Sequence, residues 1–170
     1  MSLKGRNYKL ARGQATTRKK FLPGAPGVRI AKFTTGTAKI QYDWKLKLIT
    51  TERVQVRHTA IEATRVAANK KINEDGFEEY FLMVKKYPHV ILRENKMIAT
   101  AGADRLQEGM RKAYGKPIGL AARVRPGDTI LELSIKNDKL DKAKLALKLA
   151  ASKFPAPMKV EVEPIPKKEQ

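Results

Sequence analysis

Residues 44–73 read WKLKLITTERVQVRHTAIEATRVAANKKIN, and the hydrophobic period changes once within them. Trp44, Leu46 and Leu48 alternate with Lys45 and Lys47; after a short break, Val54 and Val56 alternate with Arg53, Gln55 and Arg57. A period of two predicts half-buried strands, here with a cationic outer face. From His58 to Asn73 the period lengthens: Ile61, Thr64, Ala68 and Ile72 fall near one stripe of a helix whose alanines allow close packing on a sheet. Thr59 is placed to cap this helix, and Glu62, three residues on, completes a capping-box pattern.

The same two periods recur outward. Towards the amino end, alternation begins at Val28 and Ile30. Towards the carboxyl end, Tyr80, Leu82 and Val84 predict a strand that stops at a turn over Tyr87, Pro88 and His89. Ala121–Val124 and Thr129–Ile135 form two short apolar runs joined by Pro126, Gly127 and Asp128, a hairpin signal with glycine at a positive-φ position. Asp138 is placed to cap a second helix with the stripe Leu140, Ala143, Leu147, Ala150 and Phe154, stopped by Pro155 and Pro157. Met158, Val160 and Val162 make a closing strand. The expected fold is α+β: a sandwich of mixed, mostly antiparallel sheet carrying two main helices. Its expected divisions are a basic extended arm over 1–27, one domain over 28–163 and a short tail over 164–170.

Charge sets the partner. The 170 residues hold 36 Lys and Arg against 17 Asp and Glu, a formal charge of +19 that repels itself unless a polyanion offsets it. Nucleic acid is the leading partner. A membrane is disfavoured, because there is no long apolar run and no basic helix with a large aromatic face. Without cysteine the chain has no disulfide, iron–sulfur cluster or thiolate zinc site, and its start lacks the apolar core of a secretory signal, so a cytosolic location is expected. In the arm, Arg6, Lys9, Arg12, Arg18, Lys19 and Lys20 are candidate phosphate contacts, and glycines and prolines interrupt any period that could bury a face.

A second basic stretch lies at Leu92–Val124, LRENKMIATAGADRLQEGMRKAYGKPIGLAARV. Gly102, Gly109, Gly115 and Gly119 loosen its backbone, while Arg93, Lys96, Arg105, Arg111, Lys112, Lys116 and Arg123 supply cations without an equal number of acids. A mobile basic loop over 92–120 that orders against nucleic acid is expected. The competing reading makes Asp104–Tyr114 a short amphipathic helix docking Leu106, Met110 and Tyr114. Covalent chemistry finds no support. His58 and His89 lie in different elements without a carboxylate or histidine partner at helical spacing, which leaves them as surface or packing residues. Gly115-Lys116-Pro117 lacks the hydroxyl residue of a phosphate-binding loop, and no dinucleotide glycine pattern occurs. No catalytic residue, metal or cofactor is expected. Trp44 reads as cross-strand packing rather than a base-stacking platform. Standard modules for reading base sequence are missing, so recognition falls to shape and phosphates.

Arg93-Glu94-Asn95-Lys96-Met97, Gly102-Ala103-Asp104-Arg105, Gly109-Met110-Arg111 and Gly115-Lys116-Pro117 closely resemble the archaeal and eukaryotic branch of the L-sixteen/L-ten-e family of large-subunit ribosomal proteins. The likeness continues through Tyr87-Pro88-His89, Ala121-Ala122-Arg123-Val124 and the helix containing Glu62, Arg65 and Asn69, and covers most of Thr17–Ile135. Thr16, Lys20 and Phe21 depart from the family's arm pattern, as do Asn7 and Leu120. The resemblance implies an α/β hammerhead bound to large-subunit rRNA near the aminoacyl-tRNA site, one copy per subunit beside neighbouring ribosomal proteins. Its glycine-rich loop would point towards the peptidyl transferase centre, with Arg93, Lys96, Arg105, Arg111, Lys112 and Lys116 along rRNA or near tRNA. Arg57, Arg65 and Arg123 join the expected RNA contacts. Peptide transfer would remain the work of RNA, and the cytoplasmic large subunit is the implied location. The other reading that the electrostatics allow is a free-standing RNA-binding or RNA-chaperone factor.

Overall fold

The structure, a computed structural model, describes Lys9, Ala11, Gly13, Thr17, Leu22 and residues 24–76, 79–95, 111 and 113–166. Among them are eight strands: β1 (Thr34–Gly36), β2 (Trp44–Thr50), β3 (Val54–Arg57), β4 (Tyr80–Val84), β5 (Val90–Glu94), β6 (Lys116–Val124), β7 (Thr129–Ile135) and β8 (Met158–Pro164). Two α-helices, α1 (His58–Ile72) and α2 (Leu140–Ala151), complete the α+β set.

The strands form two sheets, and every pairing is antiparallel. The larger has the order β1-β4-β7-β2-β8, the smaller β3-β6-β5. One two-stranded ribbon links them. β2 pairs with β7 as far as Ile49 opposite Thr129, and their continuations β3 and β6 pair from Val54 opposite Val124. At the bend the two chains hold each other: Thr50 N–H donates to Asp128 O at 3.1 Å, and Gly127 N–H to Thr50 O at 2.9 Å. Gly127 sits there at φ 86°, a conformation that glycine adopts without a Cβ penalty. The expected hairpin over Ala121–Ile135 is therefore corrected. The Pro126–Asp128 turn exists, but β6 and β7 pair with different partners in different sheets, β6 with β3 and β5, and β7 with β2 and β4.

The alternation in the sequence lands on the core as expected. Leu46 opposite Leu133 and Leu48 opposite Leu131 are fully buried on one face of the large sheet, joined by Tyr80, Leu82, Val84 and Ile135. Helix α2 lies across β2, β7 and β8, and α1 packs against α2 and the small sheet. Ile61, Thr64, Ala68 and Ile72 of α1, and Ala143, Ala146, Leu147 and Ala150 of α2, are buried there. The alanines bring the helices against each other as well as against the sheet. Phe154 is buried beyond the end of α2. Trp44 packs at the core's edge and donates its indole N–H to Asn137 Oδ1 at 2.8 Å, a packing role.

Local expectations fail in four places. Val28–Ile30 is not a strand; the first strand is β1, which pairs with β4. Thr59 does not cap α1, since β3 runs into the helix without a loop, Arg57 occupies the cap position and no side chain caps it. Glu62 instead faces Arg65, with Nε and Nη2 donating to its two oxygens at 2.9 and 2.6 Å. Asp138 lies in a 3-10 turn over Asn137–Lys139 ahead of α2, and does not cap it. Strands β5 and β6 also occupy both ends of the stretch 92–120, so the span between them is shorter than expected.

The outer face of the large sheet is corrected too. Lys45 and Lys85 both reach Glu132 at 3.1 Å, and Lys47 reaches Glu163 at 2.6 Å, so cross-strand acids balance these cations. Burial pushes the Glu132 carboxyl up, but hydrogen bonds from the two lysines outweigh it and hold the group below its usual 4.5. A depressed folded-state pKa gives stability that is present above 4.5 and lost as pH falls through the folded value. We expect Glu132→Gln to cost about 1 kcal/mol at neutral pH in urea melts, kept small by the lysines' access to water, and the gap to the parent chain to close on acidification. A gap that persisted in acid would show that packing, not charge, was lost.

Candidate nucleic-acid interface

The small sheet has two faces. Val54, Val56, Ala122 and Val124 turn to the core, while Gln55, Arg57, Arg123, Val90 and Leu92 belong to the other face. That outer face meets the arm. Lys9 O accepts the N–H of Gln55 on β3 at 2.8 Å. Gly13 O accepts from Arg123 Nη1 on β6 at 2.7 Å, and Arg123 Nε donates to its cross-strand neighbour Gln55 at 3.1 Å. On β5, Thr17 both accepts the N–H of Ile91 at 2.9 Å and donates its hydroxyl to Ile91 O at 2.7 Å. Three arm residues four apart thus bond three successive strands, with Ala11 and Thr17 buried. The described part of the arm is docked through its backbone, a mode that leaves lysine and arginine side chains out of the fold's own bonding.

At the other end of β5 and β6 lies the neck of the segment between them. Glu94 pairs with Lys116 across it, just beyond a register shift between Leu92 and Arg93. The Arg93 guanidinium lies 3.5 Å over the Tyr114 ring and also donates to Tyr114 O. Tyr114 is 58% exposed, so the stack stands in solvent rather than docking on the core. Gly115 is required here: its φ is 75°, and a Cβ would lie 2.6 Å from the Glu94 carbonyl carbon.

The expected contacts therefore part into groups. Arg6, Arg12, Arg18, Lys19, Lys20, Lys96, Arg105 and Lys112 lie outside the described residues, as does most of Asp104–Tyr114. Arg93 and Lys116 lie at the neck, Lys116 exposed, and Arg111 is an exposed turn residue. Lys9 and Arg123 tie arm to sheet; burial, then Arg53, lowers the Arg123 pKa, and its hydrogen bonds run to protein oxygens. Arg65 is 8% exposed and held by Glu62, whose carboxyl that hydrogen bond keeps below its usual value. Arg57 ends β3 and lines a cavity with Arg29, His58 and Thr59. Sequence reasoning missed Gln55, Thr17 and Tyr114. Only Tyr114, next to a loop glycine, carried a readable signal.

His58 is buried and His89 exposed, in separate places, as expected of packing and surface residues. Among the described residues no group of His, Cys, Asp or Glu could hold a metal, and no helix is long and apolar enough to cross a membrane.

Two outcomes test this geometry. Gly115→Ala should cost about 1–3 kcal/mol locally, read as faster amide exchange at Glu94 and Lys116; unchanged protection would refute the tight neck. Arg123→Ala should speed tryptic cleavage of the arm while barely moving the melting temperature. If cleavage stays as slow, the bonds at Lys9 and Thr17 suffice.

Comparison with known proteins identifies the family. The family profile described as ribosomal protein L16p/L10e matches residues 11–161. The large ribosomal subunit protein uL16 of Hyperthermus butylicus is 49% identical over 161 residues, covering 94% of this chain and 89% of its own length. Those of Staphylothermus marinus and Sulfolobus acidocaldarius are each 47% identical, covering 90% and 96% of this chain and 88% and 94% of their own lengths. A profile match over nearly the whole fold, with relatives this similar end to end, means that the chain belongs to the L16p/L10e family of ribosomal proteins.

Proposed function

We propose that this protein is a structural constituent of the cytoplasmic large ribosomal subunit that binds large-subunit rRNA near the aminoacyl-tRNA site. It stands there as one copy beside neighbouring ribosomal proteins, and carries the segment between β5 and β6 towards the peptidyl transferase centre. Membership of the family supports the ribosomal role and rRNA binding. The finer placement is supported by one observation above the rest: the basic arm and the neck of the second basic segment are both built on the small sheet. Two cationic segments anchored on one rigid platform can grip a folded RNA at two points while the platform fixes their spacing. The hammerhead shape of the family is the corresponding architecture for such a platform.

The residues act by position. Exposed Arg111 and Lys116 offer charge to phosphates, and the Arg93–Tyr114 stack offers a planar surface to an unpaired base. Arm cations Arg6, Arg12, Arg18, Lys19 and Lys20, with Lys96, Arg105 and Lys112 of the second segment, add to the same electrostatic grip. None is asked to make or break a bond, and peptide transfer stays with RNA.

A free-standing RNA-binding or RNA-chaperone factor would share the charge but not the particle. The chain should sediment with large subunits and stay through a moderate-salt wash, where a free factor making six to ten phosphate contacts would weaken by roughly 10³–10⁵. Release in that wash would overturn the ribosomal reading. Arg111→Ala with Lys112→Ala should impair tRNA handling on assembled subunits and leave the melting temperature of the isolated chain unchanged, since Arg111 is exposed and loop cations add little to the core. A large drop in melting temperature would place them in the fold instead.

A further inference from the structure

Helices α1 and α2 each carry apolar residues that the core does not use. On α1, Ile61, Thr64, Ala68 and Ile72 are buried, while Ala63, Val66 and Ala67 form a second set at helical spacing. Ala63 and Val66 are exposed. On α2, Leu145 and Leu149 follow each other at one turn's spacing outside the buried stripe, and they remain 46% and 44% exposed. A helix that is apolar on its solvent side as well as on its core side is suited to being covered on both.

Where both helices end, a groove of about 610 Å³ lies between them, lined by Ala67, Lys70 and Lys71 on one side and Leu149, Ser152 and Lys153 on the other. One turn earlier on each helix, Ala63 and Leu145 extend its apolar floor. Glu74 also borders the groove, but Lys71 engages it. Among the described residues no acid pairs with Lys70 or Lys153. Lysines near helix ends suit the dipoles in their own right, so the apolar floor is what calls for a cover, and the charge selects which one. RNA gains nothing from aliphatic side chains that offer neither a ring to stack on nor a donor. A second copy would set +19 against +19. The chain's own end, Lys167-Lys168-Glu169-Gln170, brings further lysines and no apolar residue. An acidic protein segment with apolar anchors complements both the floor and the rim.

We propose that this groove docks an acidic amphipathic helix of a partner protein, whose apolar side chains cover Ala67, Leu145 and Leu149 while its carboxylates face Lys70 and Lys153. An apolar centre within a charged rim is the usual anatomy of a protein contact, and a helix laid in a groove between helices is a recurring form of it. The surface is separate from the RNA-binding one. Helix α1 packs on the core face of the small sheet and the arm docks on the other, so the two partners can be held at once.

Leucine methyl resonances of the full-length protein read the groove directly. A synthetic peptide of about 16 residues, long enough to form a helix, with leucines at helical spacing and glutamates beside them, should shift the Leu145 and Leu149 methyls saturably. The same peptide with serine for leucine keeps the charge and should leave these methyls in place, which separates docking from attraction to the basic arm. Leu149→Ser should weaken binding several-fold with little change in melting temperature, since the side chain is half exposed. Lys70→Glu with Lys153→Glu should weaken it as well, and should admit a peptide with lysine in place of glutamate. Methyls that ignore the glutamate peptide, or that respond equally to the lysine peptide in the parent chain, would overturn the site. So would the same shifts produced by a single-stranded RNA oligonucleotide, which would make the groove a nucleic-acid surface, or by raising the protein concentration alone, which would give it to a second copy. If a variant misfolds, the parent titrations still decide.

Discussion

The bend in the β2–β3 and β7–β6 ribbon is the constraint from which the other parts of the molecule take their positions. Two strands leave the large sheet together, hold each other through Thr50, Gly127 and Asp128, and enter the small sheet still paired. Because the ladder barely breaks, the backbone groups at the corner stay satisfied and the sheets have one relative orientation. The docked arm and the neck of the second basic segment are then both attached to the small sheet, while one hydrophobic core runs through both sheets and both helices. Helix α1 starts directly from β3, buries His58 and Ile61 already in its first turn, and packs against α2 and the small sheet.

Charge follows the same division. The large sheet neutralises itself: lysines on β2 and after β4 meet glutamates on β7 and β8. The chain has no acid before Asp43, so the arm carries unbalanced charge to the small sheet. About half of the +19 excess therefore lies ahead of Asp43. A run of cations without acids steers a polyanion by its summed field.

Much of this was legible in residue order. Periods of two and of 3.6 located β2, β3, β4, β7, β8 and both helices, and the glycine-rich cationic stretch marked the neck and the family. What failed did so for long-range reasons. Whether β6 folds back on β7 or continues past it depends on β2 and β3, about seventy residues earlier, and the turn at Pro126–Asp128 suits either outcome. Thr59 with Glu62 is a sound local capping pattern, overruled because β3 delivers the chain already helical at His58. Arg65 and Arg123 look like any basic residue in sequence; only folding puts Glu62 beside one and the Gly13 carbonyl beside the other. The docking of the arm was invisible, since backbone bonds from Lys9, Gly13 and Thr17 need no side-chain pattern.

That docking has a further consequence. β3 and β5 are the two border strands of the small sheet, and the arm bonds to both, at Gln55 and at Ile91. A border left open is a template on which a second polypeptide can extend the ladder, the first step towards fibrillar clumping. With Lys9 bonded to one border strand and Thr17 to the other, each border has fewer open backbone groups to offer a second polypeptide.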